Sequence, residues 1–397
     1  NIITHDFIED FNPTISKLST NFRCPANILD AIVPSIELNS NRLDKSIRAA
    51  KEGGELFIGR YHSYNDMVKG LVDGIYKDIA DGMDVAVICR ENIDGLLPAI
   101  MLDRDGRFSY SISGQGMTLS PYMVKQAISI IRLVTEKTSN NVANVLKQLT
   151  FNNWEINSML SALKNNNESI WDAPMEDIEY SCPSISGVLE EWKNVHRTYK
   201  EGKITEMDFV EYLLAYYHNF IYTPRVGMKD SIYNERMRSI LSTLIVLVNS
   251  GEFTSASDLL YELDEINLRL QSRLKQKNAE VKIVTVNEFK GKEIDSAYPW
   301  NVVIDVFPHK KATSQEELEE ERRMFYIACT RGKKRTTIMT IVGREGMFLH
   351  EMDLSTAEEL VGIGGSIGEI GGSLSGKGAE ASSESRNRRK LEGLAIE

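Results

Sequence analysis

Hydrophobic and polar positions divide the chain into stretches of different period. Between residues 18 and 135, short apolar runs alternate with helix-spaced segments. Leu56, Phe57 and Ile58 follow a Gly-Gly pair and predict a strand. Ser63 then precedes Met67, Val68, Leu71, Val72, Ile75, Tyr76 and Ile79, which fall on one face of a helix. Gly82 closes that helix. Residues 85–89 (VAVIC) predict a strand covered on both faces, because β-branched residues dominate and no charge interrupts them. Ser120 and Pro121 suit a helix cap and first turn, and Val124, Ala127, Ile128, Ile131 and Leu133 continue that helix. Strand–helix–strand order predicts a parallel α/β sheet.

The pattern changes at about residue 136. Phe209, Leu213, Tyr217 and Phe220, then Met237, Ile240, Leu241, Leu244 and Val248, keep a helical period, and strand signals nearly vanish. Residues 136–278 are therefore expected to form a helical insertion. Strand signals return at 281–286, at 302–304 and at 335–342, and Ser314 with Glu317 forms a capping box that opens a charged helix. The expected organisation is a sheet domain in two segments, 1–135 and 279–350, interrupted by the helical block. Residues 351–397, with Gly and Ser concentrated at 362–378, predict a flexible tail.

Composition narrows the class. The chain has 397 residues, of which 42% are hydrophobic and 26% charged, ordinary proportions for a globular protein. No apolar run approaches the ~20 residues needed to cross a bilayer, so no membrane partner is expected. The start, Asn1 to Asp6, carries neither an initiator Met nor a signal sequence, so the sequence is expected to be an excerpt or the downstream part of something longer. Four scattered cysteines and six histidines show no metal-ligand spacing, and a cytoplasmic, reduced protein is the simpler expectation. The net charge of -11 argues against a generally basic nucleic-acid binder but leaves room for a locally basic groove.

Three blocks carry candidate chemistry: LSTNFRCPANI at 18–28, VTVNEFKGKEID at 284–295 and EEERRMFYIACTRGKK at 319–334. In the first, Phe22 beside Arg23 offers a ring to stack a base and a guanidinium to meet a phosphate. The second follows a buried strand, so its polar groups are expected at the strand's C-terminal end, where open α/β sheets bind ligands. In the third, Arg331 stands between a helix and the last strand, where an arginine can stabilise charge on a transferring phosphoryl group.

Taken in order, the blocks resemble motifs IV, V and VI of superfamily 1 helicases of the UvrD/PcrA/Rep branch, over about residues 1–350. The resemblance implies a RecA-like, P-loop NTPase-like sheet domain with a helical insertion. It implies the C-terminal half of an ATP-dependent DNA helicase moving 3′ to 5′. The cofactor would be ATP with Mg2+, whose ligands belong to an N-terminal half carrying the phosphate loop. By the same resemblance Phe22, commonly Tyr in the family, stacks on adenine. Arg23 and Arg331 reach the γ-phosphate as the catalytic pair. Gly291 and Glu293 belong to the nucleotide site, Glu293 near the ribose. Thr285, Asn287 and Lys290 belong to the DNA contact. Asn287 replaces a common His, and Lys292 a common Leu. The partners implied are single-stranded and duplex DNA and the N-terminal helicase half. The alternative is a non-catalytic DNA- or protein-binding module derived from a helicase.

Three further signals read as decoys. GGSLSGKG at 371–378 nearly matches a phosphate loop, but it ends in Gly and follows no strand. Asp264-Glu265 sits in a helical pattern, and Asp305 after an apolar run; both are expected to be structural. The basic cluster at 386–390 is expected to be a solvated tail.

Overall fold

The computed structural model describes residues 2–361, apart from 15, 41, 43–45, 120, 136–138, 150–152, 166–169, 173, 182, 223–231, 275 and 277. Two compact units divide the described residues: one takes those up to 118 and from 268 to 361, the other the intervening 119–267. The glycine-rich near-match at 371–378 and the basic cluster at 386–390 lie outside the described residues, as do Ser120 and Cys182.

In the first unit the strands are β1 Thr20–Asn21, β2 Arg48–Ala49, β3 Glu55–Tyr61, β4 Val85–Cys89, β5 Tyr110–Ile112, β6 Val281–Thr285, β7 Ile294–Pro299, β8 Gly332–Ile341 and β9 Glu358–Val361. β1 and β2 pair with each other in parallel. The other seven form one parallel sheet in the order β5-β6-β4-β7-β8-β3-β9. The parallel α/β architecture read from the pattern is thus the architecture present.

The helices, in chain order, are α1 Ile2–Phe11, α2 Ala26–Glu37, α3 Tyr64–Ala80, α4 Leu96–Asp105, α5 Tyr122–Thr135, α6 Ser139–Gln148, α7 Asn153–Asn165, α8 Met175–Ser181, α9 Pro183–Lys200, α10 Glu206–Tyr222, α11 Ile232–Val248, α12 Ala256–Ser272, α13 Val286–Phe289 and α14 Gln315–Cys329. Helices α5 to α11 and most of α12 make up the second unit. Its core includes Trp192, Phe209 and Tyr217, the last donating its hydroxyl to the Val145 carbonyl at 2.6 Å. Asp264 lies on the exposed side of α12.

Opposite faces of the sheet carry different helices. Leu56 and Ile58 of β3 share a core with Ile28, Leu29 and Ile32 of α2 and with Phe325 and Ala328 of α14. Alternation sends Tyr61 the other way, toward α3. There Gly70 and Gly74 let the helix settle on the strands: a Cβ at Gly70 would lie 2.3 Å from the Tyr61 hydroxyl, and one at Gly74 would lie 2.7 Å from that of Tyr298. Asp78, buried in the last turn of α3, accepts from Ser296 Oγ at 2.5 Å, from the Tyr298 hydroxyl at 2.7 Å and from Arg335. This network pins α3 to β7 and β8.

The local start signals correspond to real caps. Ser63 Oγ accepts from the Asp66 amide, and Ser314 with Glu317 closes both halves of a capping box. One strand expectation is corrected. Residues 302–304 are not a strand, and β7 lies upstream at Ile294–Pro299. Asn301 and Asp305 take left-handed φ values of 59° and 72°, so the chain turns at both ends of the short apolar run. Val302 and Val303 are buried because the turn tucks under β8, where the Val302 amide donates to the Met339 carbonyl at 2.9 Å. Apolarity alone does not separate a buried turn from a strand. Asp305 is exposed, and its carbonyl accepts from the Lys310 amide.

Candidate nucleotide and nucleic-acid site

An open pocket of about 560 Å3 lies in the first unit, lined among others by Leu18, Phe22, Arg23, Ile47, Glu293 and Tyr326. The first block supplies one wall. Asn21 turns its side chain back on the chain, and its Oδ1 accepts from the amides of Arg23 at 2.9 Å and Cys24 at 3.0 Å. This tight turn leaves Phe22 74% exposed, while Cys24 is buried beneath it. A large ring that exposed contributes little to folding. The β1–β2 pair brings Ile47 alongside.

The second block supplies the opposite wall. Thr285 caps α13: its hydroxyl donates to Glu288 Oε2 at 3.2 Å, and the Glu288 amide donates back to it at 3.4 Å. Asn287 and Lys290 of this segment are exposed. Gly291 takes a φ of 84°, a conformation that L side chains resist, and this turn carries the chain into Lys292 and Glu293. Glu293 Oε2 accepts from Arg23 Nε at 3.1 Å, joining the first and second blocks across the fold.

The third block contributes Tyr326 to the lining, with Arg331 close by. α14 ends at Cys329, and β8 starts at Gly332, so Arg331 is held in a helix-to-strand reversal with almost no loop. Gly332 is required there, since a Cβ would lie 2.2 Å from the Arg335 carbonyl. The Arg331 carbonyl accepts from the Ile294 amide at 3.1 Å. Its guanidinium donates from Nε to the Ile327 carbonyl at 2.8 Å, from Nη1 to the Lys292 carbonyl at 3.2 Å and from Nη2 to Thr330 Oγ1 at 3.1 Å. All three acceptors are neutral. Among the described residues no carboxylate lies within ion-pair distance of Arg331, although the residue is only 7% exposed.

The electrostatics follow from this imbalance. Burial first, then the neighbouring Arg23 charge, push the Arg331 pKa down to about 10, and it stays protonated near neutral pH. Burial, then Cys24, push the Tyr326 phenol up to about 12, so it stays neutral. Two guanidinium groups therefore share one partly exposed carboxylate, Glu293. A buried cation with no counter-ion in direct contact is costly, and a bound polyanion would relieve that cost. The arginine fork suits phosphate oxygens.

Position on the sheet departs from expectation. Glu293 directly precedes β7 and Arg331 directly precedes β8, so the pocket forms at the N-terminal ends of these strands. Thr285 and Asn287 lie at the C-terminal end of β6, on the other side, and Lys290 follows α13 in the connection to β7. The segment 286–293 crosses between the two because β6 and β7 run parallel on either side of β4. Phe22, Arg23 and Glu293 thus line one pocket with Tyr326, Arg331 lies near enough for the Arg23 and Glu293 charges to act on it, and Thr285 and Asn287 stand apart at the end of β6. Tyr326 was not singled out in the sequence. Its one signal is helical spacing, four residues before Thr330, whose hydroxyl donates to the Tyr326 carbonyl at 2.7 Å. Among the described residues no three His, Cys, Asp or Glu side chains gather to hold a metal ion, and no helix is long and apolar enough to cross a membrane.

Comparison with known proteins agrees with these blocks. The profile of the UvrD-like helicase C-terminal domain matches residues 16–343, a span that includes all three. DNA helicase II of Haemophilus influenzae is 22% identical over 349 residues, 84% of this chain and 48% of that protein. The ATP-dependent DNA helicase PcrA of Bacillus subtilis is 23% identical over 377 residues, 86% of this chain and 49% of its own length. The ATP-dependent DNA helicase Rep of Buchnera aphidicola, from Acyrthosiphon pisum, is 22% identical over 351 residues, 82% and 53% respectively. The chain spans about half the length of the curated relatives it matches. On the extent of the profile match, this chain belongs to the UvrD-like helicase C-terminal domain family.

Proposed function

We propose that this chain supplies one wall of the nucleotide cleft of an ATP-driven DNA helicase that travels 3′ to 5′. The single observation that carries the reading is the buried Arg331 guanidinium, held by neutral acceptors beside Arg23 and without its own carboxylate. A fixed cation with no carboxylate in ion-pair contact is the kind of group that stabilises charge on a transferring phosphoryl group. ATP supplies the driving free energy, with Mg2+ held by carboxylates of a second RecA-like half outside this chain. Arg23 and Arg331 bind the terminal phosphates. Phe22 offers its exposed face to the base, and Glu293 stands at the same pocket to orient the remainder of the nucleotide.

On this reading Asn287 and Lys290 contact single-stranded DNA from the opposite edge of the sheet. Thr285 contributes by capping the helical turn that carries Asn287. Residues 286–293 then connect the DNA-facing edge to the nucleotide pocket through one short segment, which suits a motor whose grip on DNA follows its nucleotide state. The sheet segments 1–135 and 279–350 would act as one motor domain, with 136–278 as its helical attachment.

A chain with only this wall of the cleft is expected to turn over no ATP of its own. Steady-state ATPase measurement on this polypeptide, with magnesium and single-stranded DNA, checks this. Robust turnover that survives Arg331→Ala would overturn the division of labour.

A further inference from the structure

The last carbonyls of a helix find no partner within it and must be satisfied from outside. At the end of α14 the residues that follow supply the donors. The Tyr326 carbonyl accepts from the Thr330 amide at 3.0 Å and from Thr330 Oγ1 at 2.7 Å. Ile327 accepts from Arg331 Nε at 2.8 Å, and Cys329 from Thr336 Oγ1 at 3.0 Å. A threonine that bonds back to the carbonyl four residues earlier is by itself only a local helix contact. Thr330 differs in what its oxygen is left to do. A hydroxyl has one proton and two lone pairs. The proton goes to Tyr326, because the Ile327 carbonyl is 3.5 Å away and already holds Arg331 Nε. The buried oxygen is thereby left as an acceptor, and it meets Arg331 Nη2 at 3.1 Å.

With Nη1 on the Lys292 carbonyl at 3.2 Å, each nitrogen of the Arg331 guanidinium has one acceptor. Three such bonds fix the plane of a flat group. A guanidinium carries five N–H donors. One N–H on each terminal nitrogen therefore has no acceptor among the described residues. We infer that Thr330 is a positioning residue for Arg331: its hydroxyl, held by the Tyr326 carbonyl in the accepting orientation, sets the guanidinium plane so that the two remaining N–H groups are offered in a fixed direction. The inference rests on Arg331 acting on phosphate, as proposed above, and adds the group that aims it. A donor aimed before the reaction begins needs no reorganisation as charge develops, which is where its effect on rate comes from.

The test is ATP turnover by a complete motor containing this chain, with single-stranded DNA and rates taken per folded molecule. Thr330→Val keeps the side chain's shape and removes the hydroxyl, so Nη2 loses its acceptor. Its kcat is expected to fall about tenfold, the size of a lost hydrogen bond to a charged group. Thr330→Ser keeps the hydroxyl and should restore most of the turnover. The decisive arm is the double variant: once Arg331→Ala has removed the guanidinium, Thr330→Val should cost nothing further. Thr336→Val removes the other hydroxyl at the end of α14, which bonds Cys329 rather than Arg331, and should leave turnover unchanged. An unchanged kcat in Thr330→Val, or an equal loss with and without the Arg331 guanidinium, would overturn the inference and leave the reading of Arg331 intact. An equal loss in Thr336→Val would do the same, since any contact on the helix end would then suffice. If Arg331→Ala itself turns over like the unaltered motor, the proposed role of Arg331 fails and that of Thr330 with it. Should Thr330→Val not fold, Thr330→Ala set against Thr330→Ser gives the same contrast.

Discussion

Arg322 lies midway along α14 and Arg331 just past its end, and both are buried, yet their surroundings differ. Arg322 donates from Nε and Nη2 to the two carboxylate oxygens of Glu351, at 2.8 and 2.9 Å, and from Nη1 to Asn39 Oδ1 at 2.5 Å. Its guanidinium also lies over the Phe348 ring, 5.2 Å from the centroid. Nearby Glu321 is paired with Arg90 in the same bidentate manner. Arg331 donates only to backbone carbonyls and a hydroxyl, with a second arginine nearby and the Glu293 carboxylate beyond ion-pair contact. The difference separates two uses of a buried charge. Where a charge serves the fold, the fold supplies the opposite charge. Where no opposite charge is in contact, as at Arg331, the proposed partner is a ligand.

The comparison can be broken by truncating each kind of arginine in turn. The largest effect on stability is expected for Arg322→Ala, which strands the Glu351 carboxylate in a poorly solvated place. A loss of about 3–5 kcal/mol is expected in denaturant unfolding. A loss below ~1 kcal/mol would show that the pair is not what holds α2, α14 and the 347–351 turn together. The smallest effect is expected for Arg23→Ala. Its ion pair with Glu293 is open to water, so unfolding should change by no more than about 1 kcal/mol. A large destabilisation would make Arg23 a structural residue like Arg322 and would weaken its assignment to the pocket.

What the sequence discloses and what it hides divide along the same physical line. Ser63 and Ser314 could be read as caps because a cap is a contact between residues three apart. β4 could be read because a doubly covered strand needs an uninterrupted apolar run. The end of the sheet that carries the pocket could not be read, because it depends on how 286–293 crosses between β6 and β7. Residues 302–304 look like a strand until the left-handed Asn301 and Asp305 turn the chain. Thr285 looks like a contact residue, but its hydroxyl is engaged by Glu288. The Arg23–Glu293 pair joins positions 270 residues apart, and no local pattern announces it. Each of the three blocks picked out by resemblance has a residue lining one pocket: Phe22 and Arg23, Glu293, and Tyr326. Which of their charges are already neutralised depends on the fold.

The central claim is that Arg331 is kept without a carboxylate so that it can meet the charge of a transferring phosphoryl group. The most direct measurement is ATP turnover, with single-stranded DNA, by a complete motor containing this chain and carrying Arg331→Ala. Turnover per folded molecule should fall ~10³-fold or more, as expected when a phosphate-stabilising arginine is lost. A rate close to that of the unaltered motor would mean that Arg331 only ties the end of α14 to Lys292, and that the cleft draws its positive charge from elsewhere.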